Sequence, residues 1–185
     1  VMLAYAQGND LDNLVVDVER KTIVEATTTE LALFESDEDL RQRKAEKLEG
    51  FSTAGPKRAY EWHARDAHEL VKDALAVRPA DGVIDVYILS YEGNGKASQE
   101  ILSAVSERLN DDYIRPLADK VNVKTAIIRE YSISAQLHLY DGVGKAETIA
   151  ASKKETERYA AESHSLHKSA SDSGIKASLH EPGGV

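Results

Sequence analysis

The sequence contains no cysteine, which excludes disulfide frameworks, thiolate zinc sites and cysteine nucleophiles. No apolar run approaches the ~20 residues that a membrane-spanning helix requires. A candidate such as Val83 to Leu89 has only the length of a strand and is interrupted by Asp85. The sequence therefore predicts neither a disulfide-stapled fold nor a membrane partner.

Basic residues are too few for a typical nucleic-acid-binding protein. Lysine and arginine number 23 against 32 aspartates and glutamates, which gives a formal net charge of -9. Phosphate binding is carried mostly by clustered Lys and Arg, so we expect no nucleic-acid partner. The basic residues between Arg41 and Lys47 are interleaved with glutamate, as on a solvated helix face.

The familiar catalytic motifs are absent or incomplete. Gly93-Asn94-Gly95-Lys96 follows a predicted strand, but Ser90 and Ala97 stand where a phosphate loop needs a glycine and a hydroxyl. There is no Gly-x-Ser-x-Gly nucleophile elbow. Three histidines lie in a weakly patterned region and fit surface positions better than a metal site: His164, His167 and His180. The sequence thus predicts no catalytic, cofactor-binding or metal-binding residues, and no cofactor.

The first third of the sequence predicts helices. Residues 1–30 have the pattern of the C-terminal end of a missing upstream helical region followed by a linker. Residues 31–68 predict a helical hairpin, with Ser36 or Asp37 capping its first helix and Pro56 opening its second. The expected inward faces are Leu40, Lys44, Leu48 and Phe51 on the first helix, and Ala59, Tyr60, His63, Ala64 and Ala67 on the second.

Alternation with a period of two begins after the hairpin and predicts an α+β domain over residues 69–185. Strands are expected at 69–77 and 83–90, joined by a turn at Pro79 to Gly82. A helix should follow from Ser98 to about Leu109. Its inward residues are expected to be Ile101, Leu102, Val105 and Leu109.

Two further strands and a helix complete the predicted order ββαββα, a two-layer domain with an antiparallel or mixed sheet. The strands are expected at 120–128 and 131–140, and the helix at 145–163. The predicted inward residues are Val121, Val123, Thr125 and Ile127; Tyr131, Ile133, Ala135, Leu137 and Leu139; and Ala146, Ile149, Ala150, Tyr159 and Ala160. We expect the domain to be truncated before its last strand, so that one sheet edge is incomplete.

Two functions are compatible with such a scaffold. One is an interaction protein, which should have broad surfaces and open strand edges. The alternative is a small α+β hydrolase or ligand-binding domain, with a site assembled from unlinked residues such as His63, Asp112 and Arg115. That alternative requires a deep pocket with perturbed titratable groups. Otherwise, Arg115 is expected to bond local carbonyls or to pair with Asp112 or Asp119.

An ordered series of short segments resembles the baseplate J-like family of contractile-tailed phages over nearly the whole sequence. These segments are Ala6-Gln7-Gly8-Asn9-Asp10-Leu11-Asp12, Glu35-Ser36-Asp37-Glu38-Asp39-Leu40-Arg41, Leu48-Glu49-Gly50-Phe51-Ser52-Thr53-Ala54-Gly55-Pro56, Ala59-Tyr60 with His63-Ala64, Val86-Tyr87-Ile88-Leu89-Ser90, Gly93 with Gly95, Asp112-Tyr113-Ile114-Arg115-Pro116-Leu117 with Asp119, Leu137 with Leu139-Tyr140, and His180-Glu181-Pro182-Gly183. The sequence departs from the family pattern at Ser163 to Ser173 and at Gly183-Gly184.

The resemblance implies a structural subunit of a contractile phage tail baseplate, a wedge protein that takes part in assembly and transmits the contraction trigger through protein–protein interfaces. Its implied partners are neighbouring baseplate wedge proteins, including tail protein I, in a multimeric ring around the tail hub. Its implied location is the virion tail baseplate, after assembly in the bacterial host cytoplasm. Family members are longer, with a region before Val1 and a last strand after Val185. No enzymatic activity is implied.

Overall fold

The structure is a computed structural model that describes residues 5–15, 18–24, 32–47, 56–139 and 144–180. The chain divides into two compact units, Val1–Ile128 and Arg129–Val185. The first contains α1 (Gly8–Leu14), β1 (Thr22–Val24), β2 (Leu33–Phe34), α2 (Asp37–Glu46), α3 (Lys57–Asp66), β3 (Val71–Ala80), β4 (Val83–Ser90), α4 (Gln99–Leu109) and β5 (Lys120–Thr125). The second contains α5 (Lys145–Ser163) and α6 (Asp172–His180).

The two helices of the predicted hairpin, α2 and α3, are both present. Ser36 caps α2, because its hydroxyl accepts a hydrogen bond from the amide of Asp39 at 3.1 Å. Pro56 occupies the N-cap of α3, one position before the predicted one. Leu40 is buried as predicted, whereas Lys44 is half-buried. The predicted inward residues Leu48 and Phe51 lie outside the described residues, as do residues 25–30 of the region predicted to end in a linker.

A three-stranded sheet, in the order β3-β4-β5, organises the first unit. β3 and β4 form the predicted antiparallel hairpin, and β5 runs parallel to β4. Parallel neighbours require a crossover, which α4 supplies. Gly82 in the hairpin turn has a φ of +67°, and a Cβ there would meet the carbonyl oxygen of Ala118 at 3.0 Å. Glycine is therefore needed at this turn.

Helices α3 and α4 cover one face of this sheet and enclose its core. The predicted inward faces of both helices are confirmed, with Ala67 and Leu102 half-buried and the other residues buried. The buried core residues are Tyr60, Ala64, Val71, Ala74, Ala76, Val86, Ile88, Ile101, Val105, Leu109 and Val121. The result is a two-layer arrangement with a mixed sheet, which confirms the predicted α+β class.

The predicted strand at 131–140 is wrong for residues 131–139, which form neither helix nor strand. Tyr131, Ile133 and Ala135 are exposed instead of facing a core. A strand needs a neighbour to bond its amides and carbonyls, and no described residue pairs with this segment. β5 also ends at Thr125, which leaves Ile127 82% exposed rather than inward. The observed order is therefore ββαβ followed by two helices.

In the second unit, α5 has the predicted bounds but buries a different face. Its buried residues are Thr148, Ser152 and Thr156, whereas Ile149 is 50% exposed and Ala146 and Ala150 are exposed. The hydroxyls of Thr148 and Thr156 donate to the carbonyls of Gly144 and Ser152, one turn earlier, and that of Ser152 donates to the carbonyl of Leu179 on α6 at 2.9 Å. Because these hydroxyls are satisfied internally, their burial costs little.

Among the described residues, none of the helices has both the length and the apolar character needed to cross a bilayer.

The predicted domain boundaries at residues 30 and 68 stay predictions.

Candidate functional site

We call the described residues 5–15, 18–24 and 32–47 the N-terminal segments. Six charged residues connect these segments with α3, and we call them the polar clasp: Asp12, Arg20, Lys21, Glu35, Asp37 and Arg43. Arg20 lies at its outer end. Its guanidinium donates to Asp12 Oδ1 and Asp37 Oδ1, both at 2.7 Å, and to the Glu35 carbonyl at 2.8 Å. Burial opposes the charge of Arg20, but the bonds to Asp12 and Asp37 raise its pKa. Three chain segments therefore meet at one guanidinium.

Asp37 also holds the start of α1. The amide of Gly8 donates to Asp37 Oδ2 at 3.0 Å. That bond lowers the pKa of Asp37, and Arg20 lowers it further against the opposing effect of burial. Asp37 is thus a shared acceptor for α1 and for Arg20, in the first turn of α2, where a carboxylate is favoured by the helix dipole.

Glu35 occupies the middle of the clasp and is only 2% exposed. Its carboxylate accepts from the Lys21 amide at 2.9 Å and from Arg43 through two bonds of 2.7 and 3.1 Å. A bidentate arginine is the geometry that best satisfies a buried carboxylate. Such an ion pair fixes the relative position of its two side chains but adds little net stability. The cost of desolvating the two charges offsets much of the attraction between them.

Lys21 connects the clasp with the unit formed by α3, β3, β4, α4 and β5, which we call the sheet domain. Its Nζ donates to the carbonyl of Arg65 in the last turn of α3, to that of His68 at 2.9 Å and to that of Val71 at 3.4 Å. The last carbonyls of a helix lack partners within the helix and favour a cation. Burial, followed by the charge of Arg43, lowers the pKa of Lys21 to about 7. One buried amine thus joins β1's segment to both α3 and β3.

A second connection leads from α2 to the end of β4. The hydroxyl of Tyr91 donates to Asp39 Oδ2 at 2.9 Å, and the amide of Tyr91 donates to the carbonyl of Leu70. Burial and the neighbouring Asp39 raise the pKa of Tyr91. Among the described residues, this bond attaches the N-terminal segments to the sheet domain at a place separate from the clasp.

A shallow cleft of about 330 Å³ lies beside the clasp. It is lined by Val18, Glu19, Arg43, Lys47, Trp62, Arg65 and Asp66. The lining mixes both signs of charge with the single tryptophan of the chain. Within the described part of the chain, no group of acidic residues and histidines has the arrangement of a metal site.

The structure does not bring together the three residues of the alternative enzymatic site. His63 is buried against Trp62, with the two rings 5.0 Å apart and edge to face. Asp112 is exposed on a turn. Arg115 donates to the Asn110 side chain at 3.3 Å rather than to either predicted acid, and Asp119 instead accepts from the Tyr60 hydroxyl at 2.8 Å.

His63 is nevertheless an unusual residue. Its Nδ1 is buried and has no hydrogen-bond partner among the described residues. Burial, together with the charge of Arg108, lowers the pKa of His63, which favours the neutral ring.

The sequence pattern predicts His63 as inward-facing, but it does not single out Arg20 and Lys21. In the sequence, Arg20 and Lys21 are marked only as two adjacent cations in a polar segment, which is also typical of a solvated surface.

The chain is similar in sequence to known phage baseplate proteins. Residues 52–125 match the family described as the Baseplate J-like central domain. The chain is also 39% identical over 189 residues to "Baseplate protein J" of Escherichia phage P2, an alignment that covers 99% of this chain and 63% of that protein. The match to the central domain ends at Thr125, the last residue of β5. The predicted resemblance is thus confirmed, and the match to the Baseplate J-like central domain covers the helix–sheet unit built from α3, β3, β4, α4 and β5.

Proposed function

We propose that this chain is a structural part of a contractile phage tail baseplate and acts in baseplate assembly. The observation that carries the proposal is its 39% identity to a phage baseplate protein along 99% of the chain. The proposed location is the tail baseplate of the virion, after assembly in the bacterial host cytoplasm. The chain spans 63% of that relative's length, so the proposal concerns the part of a baseplate protein that this chain represents.

The proposed role is non-enzymatic. The groups with the most strongly shifted pKa values, Lys21, Tyr60 and Tyr91, all make hydrogen bonds that hold one segment to another. Catalytic groups would instead converge on a cleft with free donors and acceptors. The described geometry supports a scaffold whose polar groups are used for internal positioning.

The polar clasp suits a wedge protein that transmits the contraction trigger. Arg20, Glu35 and Lys21 form a continuous path of directional bonds from the N-terminal segments to α3 and β3. Directional, buried ionic bonds have few alternative arrangements of similar energy. A displacement of the N-terminal segments would therefore move the sheet domain as well, instead of being absorbed at the junction.

The proposed partners are neighbouring baseplate wedge proteins, including tail protein I, in a multimeric ring around the tail hub. Support comes from the loop between α4 and β5, where Tyr113 is 86% exposed and Leu117 is fully exposed. Tyrosine is one of the residue types enriched among those that dominate the energy of protein interfaces.

Deletion of the encoding gene from the phage genome tests the proposed function. We expect the deletion to abolish intact contractile tails, as seen by electron microscopy, and the wild-type gene on a plasmid to restore them. Purified wild-type tails should also contain the chain by mass spectrometry. Normal tails in the deletion strain, or tails without the chain, would refute the proposal.

A matched pair of variants tests trigger transmission separately. Glu35→Gln weakens the buried centre of the clasp, whereas Glu38→Gln changes an acid that is 80% exposed. We expect tails with Glu35→Gln to assemble but to contract less readily on adsorption to host cells. Tails with Glu38→Gln should behave as wild type. Equal contraction in the two variants would count against the clasp as the transmitting element.

A further inference from the structure

The central sheet ends on one side at β3. In the strand order β3-β4-β5, β3 pairs with β4 on one side, and among the described residues no strand lies on its other side. Such an outer strand has backbone amides and carbonyls that can pair with another chain. β3 extends over 10 residues, Val71–Ala80, which is longer than the usual strand of about 5–6 residues. An edge of this length needs protection against unwanted pairing.

Two carboxylates occupy amides in the middle of β3. The amide of Ala76 donates to Glu61 Oε1, from α3, at 3.0 Å, and the amide of Ala74 donates to Asp73 Oδ1 at 2.8 Å. Amide directions alternate along a strand, so these two amides point to the same side of β3. That side is the outer edge, because both amides reach oxygens that do not belong to β4. The donors that an added strand would use are therefore already bonded.

Both carboxylates are buried, Glu61 being 5% and Asp73 7% exposed. A cation accompanies each of them: Lys57 Nζ lies 3.5 Å from Glu61 Oε1, and Arg65 Nη1 lies 4.0 Å from Asp73 Oδ1. An ionised carboxylate only accepts hydrogen bonds. An added strand would bring its own carbonyl oxygens to the same amides, where the carboxylate oxygens would repel them. The edge is therefore closed by charge as well as by its occupied donors.

The two ends of β3 are unsuited to pairing for other reasons. Near its C-terminal end, Pro79 has no amide to donate, and the register with β4 shifts between Val77 and Ala80. A further shift lies between Val71 and Asp73. Prolines and register irregularities are common at protected sheet edges. The regular part of the strand between these shifts contains both amides that the carboxylates occupy.

We propose that Glu61 and Asp73 guard the outer edge of β3 and prevent it from pairing with the same edge of a second copy of the chain. Two identical edges can meet antiparallel about a two-fold axis, so each would offer the same donors and acceptors to the other. The second copy is the competitor to exclude, because it always carries a matching strand in the same solution. This inference concerns the chain alone and does not depend on its proposed place in the baseplate.

A matched pair of variants at Glu61 tests the proposal. Glu61→Met removes the acceptor of the Ala76 amide at similar side-chain volume, whereas Glu61→Gln keeps an acceptor oxygen and removes only the charge. Sedimentation velocity of the purified chain over a range of concentrations measures self-association. We expect the dimer dissociation constant of Glu61→Met to be at least about tenfold lower than that of wild type, since the opened donor gains a partner in each copy. Glu61→Gln should stay within about threefold of wild type.

Amide hydrogen exchange shows where any association occurs. In Glu61→Met, exchange of the Ala76 amide should slow as the concentration of the chain rises, whereas in wild type it should not change with concentration. A Glu61→Met variant that associates no more than Glu61→Gln would overturn the inference, and so would association that leaves exchange in β3 unchanged. Concentration-dependent protection of β3 in wild type would likewise show an edge that the carboxylates do not guard.

A second pair of variants, at Asp73, decides the question if Glu61→Met does not fold, as judged by circular dichroism. Asp73→Leu removes the acceptor of the Ala74 amide, and Asp73→Asn keeps an acceptor oxygen. We again expect self-association to be about tenfold stronger for the leucine variant than for the asparagine variant. Equal self-association of the two would overturn the inference. Tails that assemble without the chain would refute the proposed function and leave this result unchanged, so the two failures are distinguishable.

Discussion

The central sheet domain and the N-terminal segments of the same unit are held by different kinds of interaction. The sheet domain encloses a continuous cluster of eleven buried residues, ten of them aliphatic, between the sheet and two helices. The described N-terminal segments bury a separate cluster of three, Leu11, Val15 and Leu40. Their attachment to the sheet domain depends instead on Arg20, Lys21, Glu35 and the Tyr91–Asp39 bond.

The difference between these regions has a mechanical meaning. Apolar burial stabilises a domain without fixing direction, since it depends mainly on the area removed from water. Charge-assisted hydrogen bonds contribute less net free energy but require defined donor–acceptor geometry. The sheet domain is therefore built for stability, and the clasp is built to fix the position of the N-terminal segments relative to it.

The largest expected effect is on the free energy of unfolding, and it comes from the apolar core of the sheet domain. Ile88→Ala removes a fully buried side chain from the centre of β4. We expect a loss of about 3–4 kcal/mol in the free energy of unfolding, measured with urea, from lost burial and the cavity left behind. Ile127→Ala, at an exposed position, should change it by less than about 0.5 kcal/mol. Similar losses for both variants would contradict the assignment of the core.

The next largest effect should be a loss of stability confined to the clasp and to the helices α1 and α2 that it holds. Glu35→Gln leaves the half-buried Arg43 without its carboxylate, and we expect it to weaken the attachment of α1 and α2 by about 2–3 kcal/mol. Amide exchange in α2 should accelerate accordingly, while exchange in β4 stays close to wild type. Uniform acceleration through both regions would show that the clasp and the sheet domain unfold as one, which would break the comparison.

The pH dependence of stability should come in part from Lys21. Its folded pKa of about 7 lies below the ordinary value of 10.5, so between these pH values the unfolded chain holds a proton that the folded chain has lost. Stability should therefore rise with pH in this window and be lost as pH falls toward 7, below which both states are protonated and the contribution of Lys21 is constant. From pH 7 to pH 9 we expect a gain of up to about 2 kcal/mol relative to Lys21→Met, which has no titrating group there.

Urea unfolding of wild type and Lys21→Met at several pH values measures that difference and cancels the contribution of other groups. The raised pKa values of Tyr60 and Tyr91 place their titration above the window. A constant difference between the two proteins would mean that the carbonyls of Arg65, His68 and Val71 keep Lys21 protonated throughout.

The same contrast explains which features the sequence could predict. The helix faces of α3 and α4 and the β3–β4 hairpin follow from apolar periodicity, a local property of the chain. The clasp joins residues up to 50 positions apart, such as Lys21 and Val71, and charged residues carry no signal of their partners. The segment 131–139 has a strand's alternation, but pairing depends on a neighbour that its own pattern cannot specify. On α5, buried hydroxyls replaced the expected apolar face.

The smallest expected effect compares two tyrosines that make the same bond in different regions. Tyr91→Phe removes the hydrogen bond to Asp39 that joins α2 to β4, and Tyr60→Phe removes the bond to Asp119 within the sheet domain. Each should cost about 1 kcal/mol, but with different consequences. Tyr91→Phe should increase amide exchange in α2, whereas Tyr60→Phe should increase it between α4 and β5. If Tyr91→Phe left α2 unchanged, the charged residues of the clasp alone would hold the N-terminal segments in place, and the second connection would be dispensable.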